Sequence, residues 1–318
     1  MSVYAGFNAG LALKAALAAE KAAIAASYFV GRGDEKAADK AAVDALRTAL
    51  NAMDIQGRIV IGEGERDEAP MLYIGEEVGT GNGPEIDIAL DPLEGTTLTA
   101  KAMANALVVM AFAPKGQMLY APDVYMDKIA IGAGYKAGIV DLDASPADNA
   151  RALAKAKGVS IEHLTVCVLD RARHSSIIDE LRNVKARVLL ITDGDVQGVI
   201  NTTDPDTQVD MYIGQGGAPE GVLAAAALQC VGGQMQGRLH FRNDDEIGRA
   251  RRLGIDNLDQ KYDLNGLAAG PAIFVATGVT PGSLLDGVRF KNGRVTTETL
   301  VMSSIDRSVQ RLRSDRPV

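Results

Sequence analysis

The 318-residue sequence predicts an α/β protein with two sheet-containing parts. Three observations carry that reading. Apolar residues make up 47% of the chain, enough for a full core. Short apolar runs such as Leu164 to Leu169 and Arg187 to Ile191 alternate with helical stretches over brief connections, the rhythm of strands joined through crossover helices. Strand after strand ends on acid, basic or glycine residues, at Gly62-Glu63, Asp91-Pro92, Asp170-Arg171, Asp193-Gly194-Asp195 and Gly214 to Gly217. Ligands of open α/β sheets sit beyond such carboxyl ends.

Taken in order, Leu11 to Phe29 is Ala-rich and helical in period, with Gly31 and Gly33 as stop signals. A second helix over Ala37 to Leu50 puts Val43, Leu46 and Leu50 on one face. Strands are expected at 58–61, 86–90, 106–113 and 128–131, so residues 1–150 read as helices laid on a sheet. Pro92 is expected to stop the ladder of the second strand, because it has no N–H and a fixed φ. Residues 151–318 form the other part. Helices at 146–157, 175–183, 196–200 and 219–231 alternate there with strands at 164–169, 187–191 and 209–213, which predicts a parallel sheet. The polar stretch 238–270 reads as containing a surface excursion, residues 272–277 as a returning strand, and Asn292-Gly293 as the turn of a hairpin.

Composition excludes several function classes. Net charge is −8 with no long basic run, and aromatics are few, so neither duplex nor single-stranded nucleic acid is an expected partner. The N-terminal helix carries Lys14, Glu20 and Lys21 and is neither a signal peptide nor a membrane span. Cys167 and Cys230 lie in apolar runs and read as reduced core residues, which fits the cytoplasm. Three histidines and no CxxC pattern argue against a zinc site.

Carboxylates, by contrast, gather at turns and strand ends: Asp39, Glu63, Glu65, Asp67, Glu68, Asp87, Asp91 and Glu94, with Glu220 far downstream. Hard oxygen ligands without His or Cys suit Mg²⁺ or Mn²⁺. In Asp91-Pro92-Leu93-Glu94-Gly95-Thr96, a strand delivers Asp91, Glu94 follows within reach of the same ions, Gly95 lets the backbone approach a ligand, and Thr96 offers a hydroxyl. Two ions can clamp a phosphoryl group and activate water. Two carboxylates alone cannot hold two ions, which makes Glu63, Asp39 and Glu220 chemically attractive additions. Arg171 and Arg173 can bind a second phosphate in forked geometry, and Asp193 and Asp195 can accept from sugar hydroxyls.

A set of segments in fixed order resembles the class II fructose-1,6-bisphosphatases of bacteria. They are Gly31-Arg-Gly-Asp34, Ile59-Val-Ile-Gly-Glu-Gly-Glu65, Asp67 to Gly75, Asp91 to Thr96, Asn105-Ala-Leu107, Ala121 to Met126, Asp193-Gly-Asp195, Gly216 to Gly221 and Thr296 to Leu300. The resemblance spans residues 15–305, and Asp-Pro-x-Glu-Gly-Thr alone would indicate only the wider lithium-sensitive phosphatases, inositol monophosphatases among them. It implies a layered sugar-phosphatase fold, a homo-oligomer (dimer or tetramer), two or more Mg²⁺ or Mn²⁺ ions, and hydrolysis of the 1-phosphate of fructose 1,6-bisphosphate. It implies Asp39 and Glu63 as ligands of one metal, and Asp91, Glu94 and Glu220 as ligands of a second. Thr96 would orient the attacking water, with Asp67 assisting. Glu94, Gly95, Thr96, Tyr125, Arg171, Ala172, Arg173, Asp193, Gly194, Asp195 and Gly217 would contact the sugar bisphosphate.

The sequence departs from the family in two places. Glu35 stands where many relatives have Lys, with Lys36 next to it, and Arg171-Ala172-Arg173 replaces the commoner Lys-Pro-Arg. Nothing is carried over to residues 242–270. The rival readings are a sedoheptulose 1,7-bisphosphatase or a dual-specificity enzyme, an inositol monophosphatase, for which Arg171 and Arg173 have no use, and a metal-stabilised non-enzyme.

Overall fold

The computed structural model describes residues 6–64 and 71–318. The chain divides into two compact units, one made of residues 1–119 with 269–318 and the other of residues 120–268. The expected division at residue 150 falls inside a helix of the second unit. Two long-range events, neither with a local signal, move the boundary: the strand at 125–131 joins the second sheet, and the last fifty residues return to the first.

The first unit opens with α1 (Ala9–Ser27), capped by Asn8, whose Oδ1 accepts from the N–H of Gly10 and Leu11. Its alanines at 15, 19, 22, 23 and 26 are fully buried, which lets the helix backbone lie close to the sheet. Next comes α2 (Glu35–Asn51), capped by Asp34, with Ala38, Ala42, Leu46 and Leu50 inward. The following elements are β1 (Gln56–Ile61), β2 (Glu77–Val78), β3 (Glu85–Glu94), α3 (Thr96–Ala100) and β4 (Leu107–Pro114).

The second unit holds β5 (Tyr125–Ile131), α4 (Pro146–Lys157), β6 (Thr165–Leu169), α5 (Ser175–Asn183), β7 (Arg187–Ile191), α6 (Asp195–Ile200), β8 (Met211–Gly217), α7 (Ala218–Val231), β9 (Gln234–His240), α8 (Asp244–Arg252), β10 (Lys261–Asp263) and α9 (Leu264–Leu267). The chain then returns to the first unit as β11 (Ile273–Gly278), β12 (Arg289–Lys291), β13 (Arg294–Ser303) and β14 (Ser308–Pro317).

Among the described residues, the first unit's strands form one sheet in the order β12-β13-β11-β4-β3-β1-β2, with β14 pairing along β13. Only β1 and β3 run parallel. Ile59, Ile86, Ile88, Leu90, Val108, Met110 and Val275 share one core with α1 and α2. Burying each large aliphatic side chain there contributes about 1.5–3 kcal/mol. β14 seals the arrangement from far along the chain, since Arg316 and Ser314 both engage Glu20, a fully buried carboxylate of α1.

The second sheet runs β10-β9-β5-β8-β6-β7. It is mixed rather than parallel. Strands β7, β6 and β8 are parallel, as crossover helices require, but β5 inserts between β8 and β9 and is antiparallel to both. The alternation of strand and helix reports the crossovers and is blind to an upstream strand inserted among them. Ile129 and Ile131 face a core with α4 and α5, while Met126 and Lys128 lie under Gly221 of α7. The stretch 238–270 contains α8, β10 and α9, so it is more regular than a surface excursion. Both cysteines are free and buried, and burial pushes the Cys167 thiol up to about 12, an inert core residue. No helix among the described residues is long and apolar enough to cross a membrane.

Candidate functional site

In the first unit the site grows from the carboxyl ends of β1 and β3. These strands are parallel neighbours with Ile61 opposite Ala89, so two residues further on Glu63 and Asp91 arrive side by side. Pro92 does not end β3. The ladder with β4 continues from Asp91 opposite Val109 to Glu94 opposite Leu107, with one extra residue on β3. That bulge resets the alternation. Val109 and Leu107 share a face of β4, so Asp91 and Glu94 share the matching face of β3, whereas an unbroken strand would put them on opposite faces. Asp91 stabilises the bulge locally, its Oδ1 accepting from the Leu93 N–H at 2.9 Å.

The chain then turns at Gly95, whose φ of +90° is left-handed, and a Cβ there would come within 2.8 Å of the Leu98 side chain. Thr96 opens α3, half-buried. Asp39 comes from α2, one residue past the buried Ala38. Asp67 lies outside the described residues. Glu35 and Lys36 are both exposed in the first turn of α2.

The electrostatics of these acids point to a cation. Asp39 is pushed up to about 6, chiefly by burial and then by the charge of Asp91. Glu63 is pushed up to about 8 by burial, then by the charges of Asp39 and Asp91 and by a hydrogen bond with Asp39. Carboxylates of one sign crowd a partly dry space, so each raises the others' pKa, and a cation bound among them would relieve the repulsion. An all-oxygen donor set of this kind fits Mg²⁺ or Mn²⁺.

In the second unit a different cluster forms beyond β5, β6 and β8. Tyr125 opens β5 opposite Gly217 of β8. Arg173 sits in the turn after β6. It donates from Nε and Nη2 to the Gln215 carbonyl at 3.2 and 2.8 Å, and its guanidinium lies 4.9 Å from the Tyr125 ring centroid. Arg171 and Ala172 are exposed in the same turn. Buried His174 pins that turn, with Nδ1 on the Leu169 carbonyl and Nε2 accepting from the Gln215 N–H, both at 2.8 Å. Burial holds its pKa below the ordinary histidine value. A cavity of about 290 Å³ opens beside Arg173, lined also by Asp127, His174, Gln215 and Arg238.

Of the Asp193-Gly194-Asp195 segment, Asp193 is exposed and Gly194 caps α6 with a left-handed φ of +81°. Asp195 points inward to a buried ion pair with Lys128, whose Nζ also donates to the Gly217 carbonyl at 2.8 Å. Lys128 was missed in the sequence reading, although a lysine inside the apolar run Tyr125 to Ile131 is itself a signal. Glu220 stands in the first turn of α7, and a Cβ on Gly217 would meet its Oε2 at 1.8 Å, so the carboxylate occupies the space a side chain would need.

An all-carboxylate cluster at the carboxyl ends of two parallel strands, on a mixed α/β fold, fits the class of metal-dependent hydrolases. The comparisons narrow this. The family model for bacterial, glpX-encoded fructose-1,6-bisphosphatase matches residues 9–316, and the chain belongs to that family. It is 45% identical to fructose-1,6-bisphosphatase 1 class 2 of Escherichia coli (strain K12), with 96% of this chain and 94% of that protein covered. The class 2 enzyme of Shigella flexneri matches to the same extent. Among solved structures, an inositol monophosphatase from Anabaena (Nostoc) sp. PCC 7120 is 16% identical, with a TM-score of 0.31 over 60% of this chain and 71% of that one, too low to carry an argument.

Proposed function

We propose that the chain hydrolyses the 1-phosphate of fructose 1,6-bisphosphate, giving fructose 6-phosphate and phosphate, as a cytoplasmic homodimer or homotetramer. The observation that carries the reaction is the 45% identity to class 2 fructose-1,6-bisphosphatase across 96% of the chain. The crowded carboxylates Asp39 of α2, Glu63 after β1 and Asp91 of β3 support a metal requirement. Mg²⁺ or Mn²⁺ would be held by Asp39 and Glu63 at one position and by Asp91, Glu94 and Glu220 at another, all five assigned by family resemblance. When bound, the ions supply charge neutralisation at the phosphoryl group and a lowered pKa for the attacking water.

The chain's own residues do the rest. Thr96 presents its hydroxyl beside the Gly95 turn and orients the water, with Asp67 assigned to assist. The backbone at Glu94 and Gly95 approaches the scissile phosphate. Tyr125, Arg171 and Arg173 hold the distal phosphate, with Ala172 and Gly217 against the sugar. Asp193 and Gly194 face the sugar hydroxyls. Asp195 acts one step back, fixing Lys128 and through it the Gly217 carbonyl.

Phosphate release is measured from fructose 1,6-bisphosphate, sedoheptulose 1,7-bisphosphate and an inositol monophosphate, each with and without Mn²⁺. Release from the six-carbon bisphosphate that requires the ion is expected. Release from the inositol ester alone, or from none, would sink the proposal, and equal rates on both bisphosphates would make the enzyme dual-specific.

A further inference from the structure

We infer that Arg242, in a segment to which the family resemblance assigned nothing, is a second guanidinium of the distal anion site and binds a phosphate monoester together with Arg173 and Tyr125. The assignment rests on the phosphatase reading only for the identity of the sugar that carries the phosphate.

Topology brings Arg242 there. Strand β9 pairs with β5 so that His240 lies opposite Tyr125. Two residues later Arg242 emerges, just before Asn243 caps α8. Its guanidinium carbon lies 4.9 Å from the Tyr125 ring centroid, the same distance as that of Arg173. Arg173 reaches the ring from the β8 side and Arg242 from the β9 side, so two cations flank Tyr125, and a dianion at the ring's edge is a ligand that both would welcome.

Arg242 is also held in place. Glu246 is almost fully buried in the first turn of α8. Its Oε1 accepts from Nε of Arg242 at 2.7 Å and also takes Nη2, while Oε2 accepts the Arg242 backbone N–H at 2.7 Å. Asn243 in turn accepts from the Glu246 N–H at 3.0 Å. The guanidinium is thus oriented by an anchor inside the protein, yet its side chain is half-exposed. Of its five N–H donors, two go to Glu246, and the remaining three are on the side away from the anchor. Arg173 is arranged alike, with Nε and Nη2 spent on the Gln215 carbonyl. Two preoriented guanidiniums flanking one aromatic ring offer a tetrahedral dianion charged donors on either side. The long, mobile side chains lose little further freedom on binding, because their anchors have already fixed them.

The test is calorimetric titration of the full-length protein with fructose 6-phosphate, which carries only the distal phosphate, beside steady-state kinetics. Arg242→Gln should raise its Kd roughly ten- to hundredfold, the usual range for one charged hydrogen bond. KM for the 1,6-bisphosphate should rise with kcat largely kept, and hydrolysis of fructose 1-phosphate should not change. Arg242→Lys should recover part of the loss by restoring charge without the fork. A Kd within about twofold of wild type overturns the assignment, as does an equal loss on fructose 1-phosphate, which would mean a merely structural role. Should the glutamine variant melt early, the lysine variant is judged by the same two criteria. Titration does not depend on turnover. A wild-type protein that binds fructose 6-phosphate through Arg242 but hydrolyses nothing would end the hydrolysis reading and leave this one standing.

Discussion

In the first unit Asp39, Glu63 and Asp91 crowd one another, and burial with their mutual repulsion raises the pKa of Asp39 to about 6 and that of Glu63 to about 8. In the second, charge is arranged the other way. Lys128 is buried against Asp195, half-exposed Arg242 is anchored on buried Glu246, and His174 is held between a carbonyl and an N–H. The acid cluster of the first unit sets like charges together, although Glu20 elsewhere in that unit is paired with Arg316, whereas the buried Lys128, Asp195 and Glu246 of the second unit each have a partner of opposite charge. The difference shows what each half awaits. A cluster of like negative charges suits a cation, whereas anchored guanidiniums suit an anion without rearrangement.

The sharpest way to break this comparison is to remove an anchor. Lys128→Met leaves the Asp195 carboxylate buried without its cation, and should cost about 3–5 kcal/mol of stability, read from the urea unfolding midpoint. Adding Asp195→Asn should recover part of that loss. A single variant as stable as wild type would mean that the pair anchors nothing.

Thr96→Ala acts on chemistry rather than folding. It should lower kcat about a hundredfold or more with KM little changed, because positioning of the nucleophile is felt mainly in the transition state. Initial rates at saturating Mn²⁺ decide this, and a near-normal kcat removes Thr96 from that role.

The smallest expected effect is on pH dependence, and its sign differs between the units. Glu63 in the metal-free protein is raised from its ordinary 4.5 to about 8, so between those values the folded state binds more protons than the unfolded one. Its stabilising contribution is present below 4.5 and is lost as pH rises toward 8; Asp39, raised from 3.8 to about 6, adds to the same trend. His174 is lowered from its ordinary 6.5, so its contribution is present above 6.5 and is lost as pH falls below that. Melting temperatures of the EDTA-treated protein across pH 5 to 8.5 should therefore show Glu63→Gln flattening the alkaline side and His174→Gln the acid side. Mn²⁺ should stabilise wild type more at the alkaline end. Slopes that neither variant changes would remove the contrast.

Much of the site was legible because its residues are local. Asp91, Glu94, Gly95 and Thr96 fall within six positions, and Glu63 follows a short apolar strand, so adjacency in sequence stands in for adjacency in space. The parts that were not legible are those built across long separations. Lys128 meets Asp195 across 67 positions. Arg242 meets Tyr125 because β9 lies beside β5, and β14 reaches Glu20 of α1 from the far end of the chain.

The sequence alone thus determined the acidic motifs, the apolar periods of α2 and most strands, and the two-sheet α/β class. These depend on residue type and local spacing, which any window of the chain displays. Tertiary structure alone decided that β5 reverses the second sheet, that residues 269–318 rejoin the first unit, and that a bulge rather than a strand end turns Glu94 to the side of Asp91. Each of those outcomes is a pairing between distant segments, selected by which arrangement buries the most apolar surface and satisfies the most backbone groups, and no local pattern encodes it.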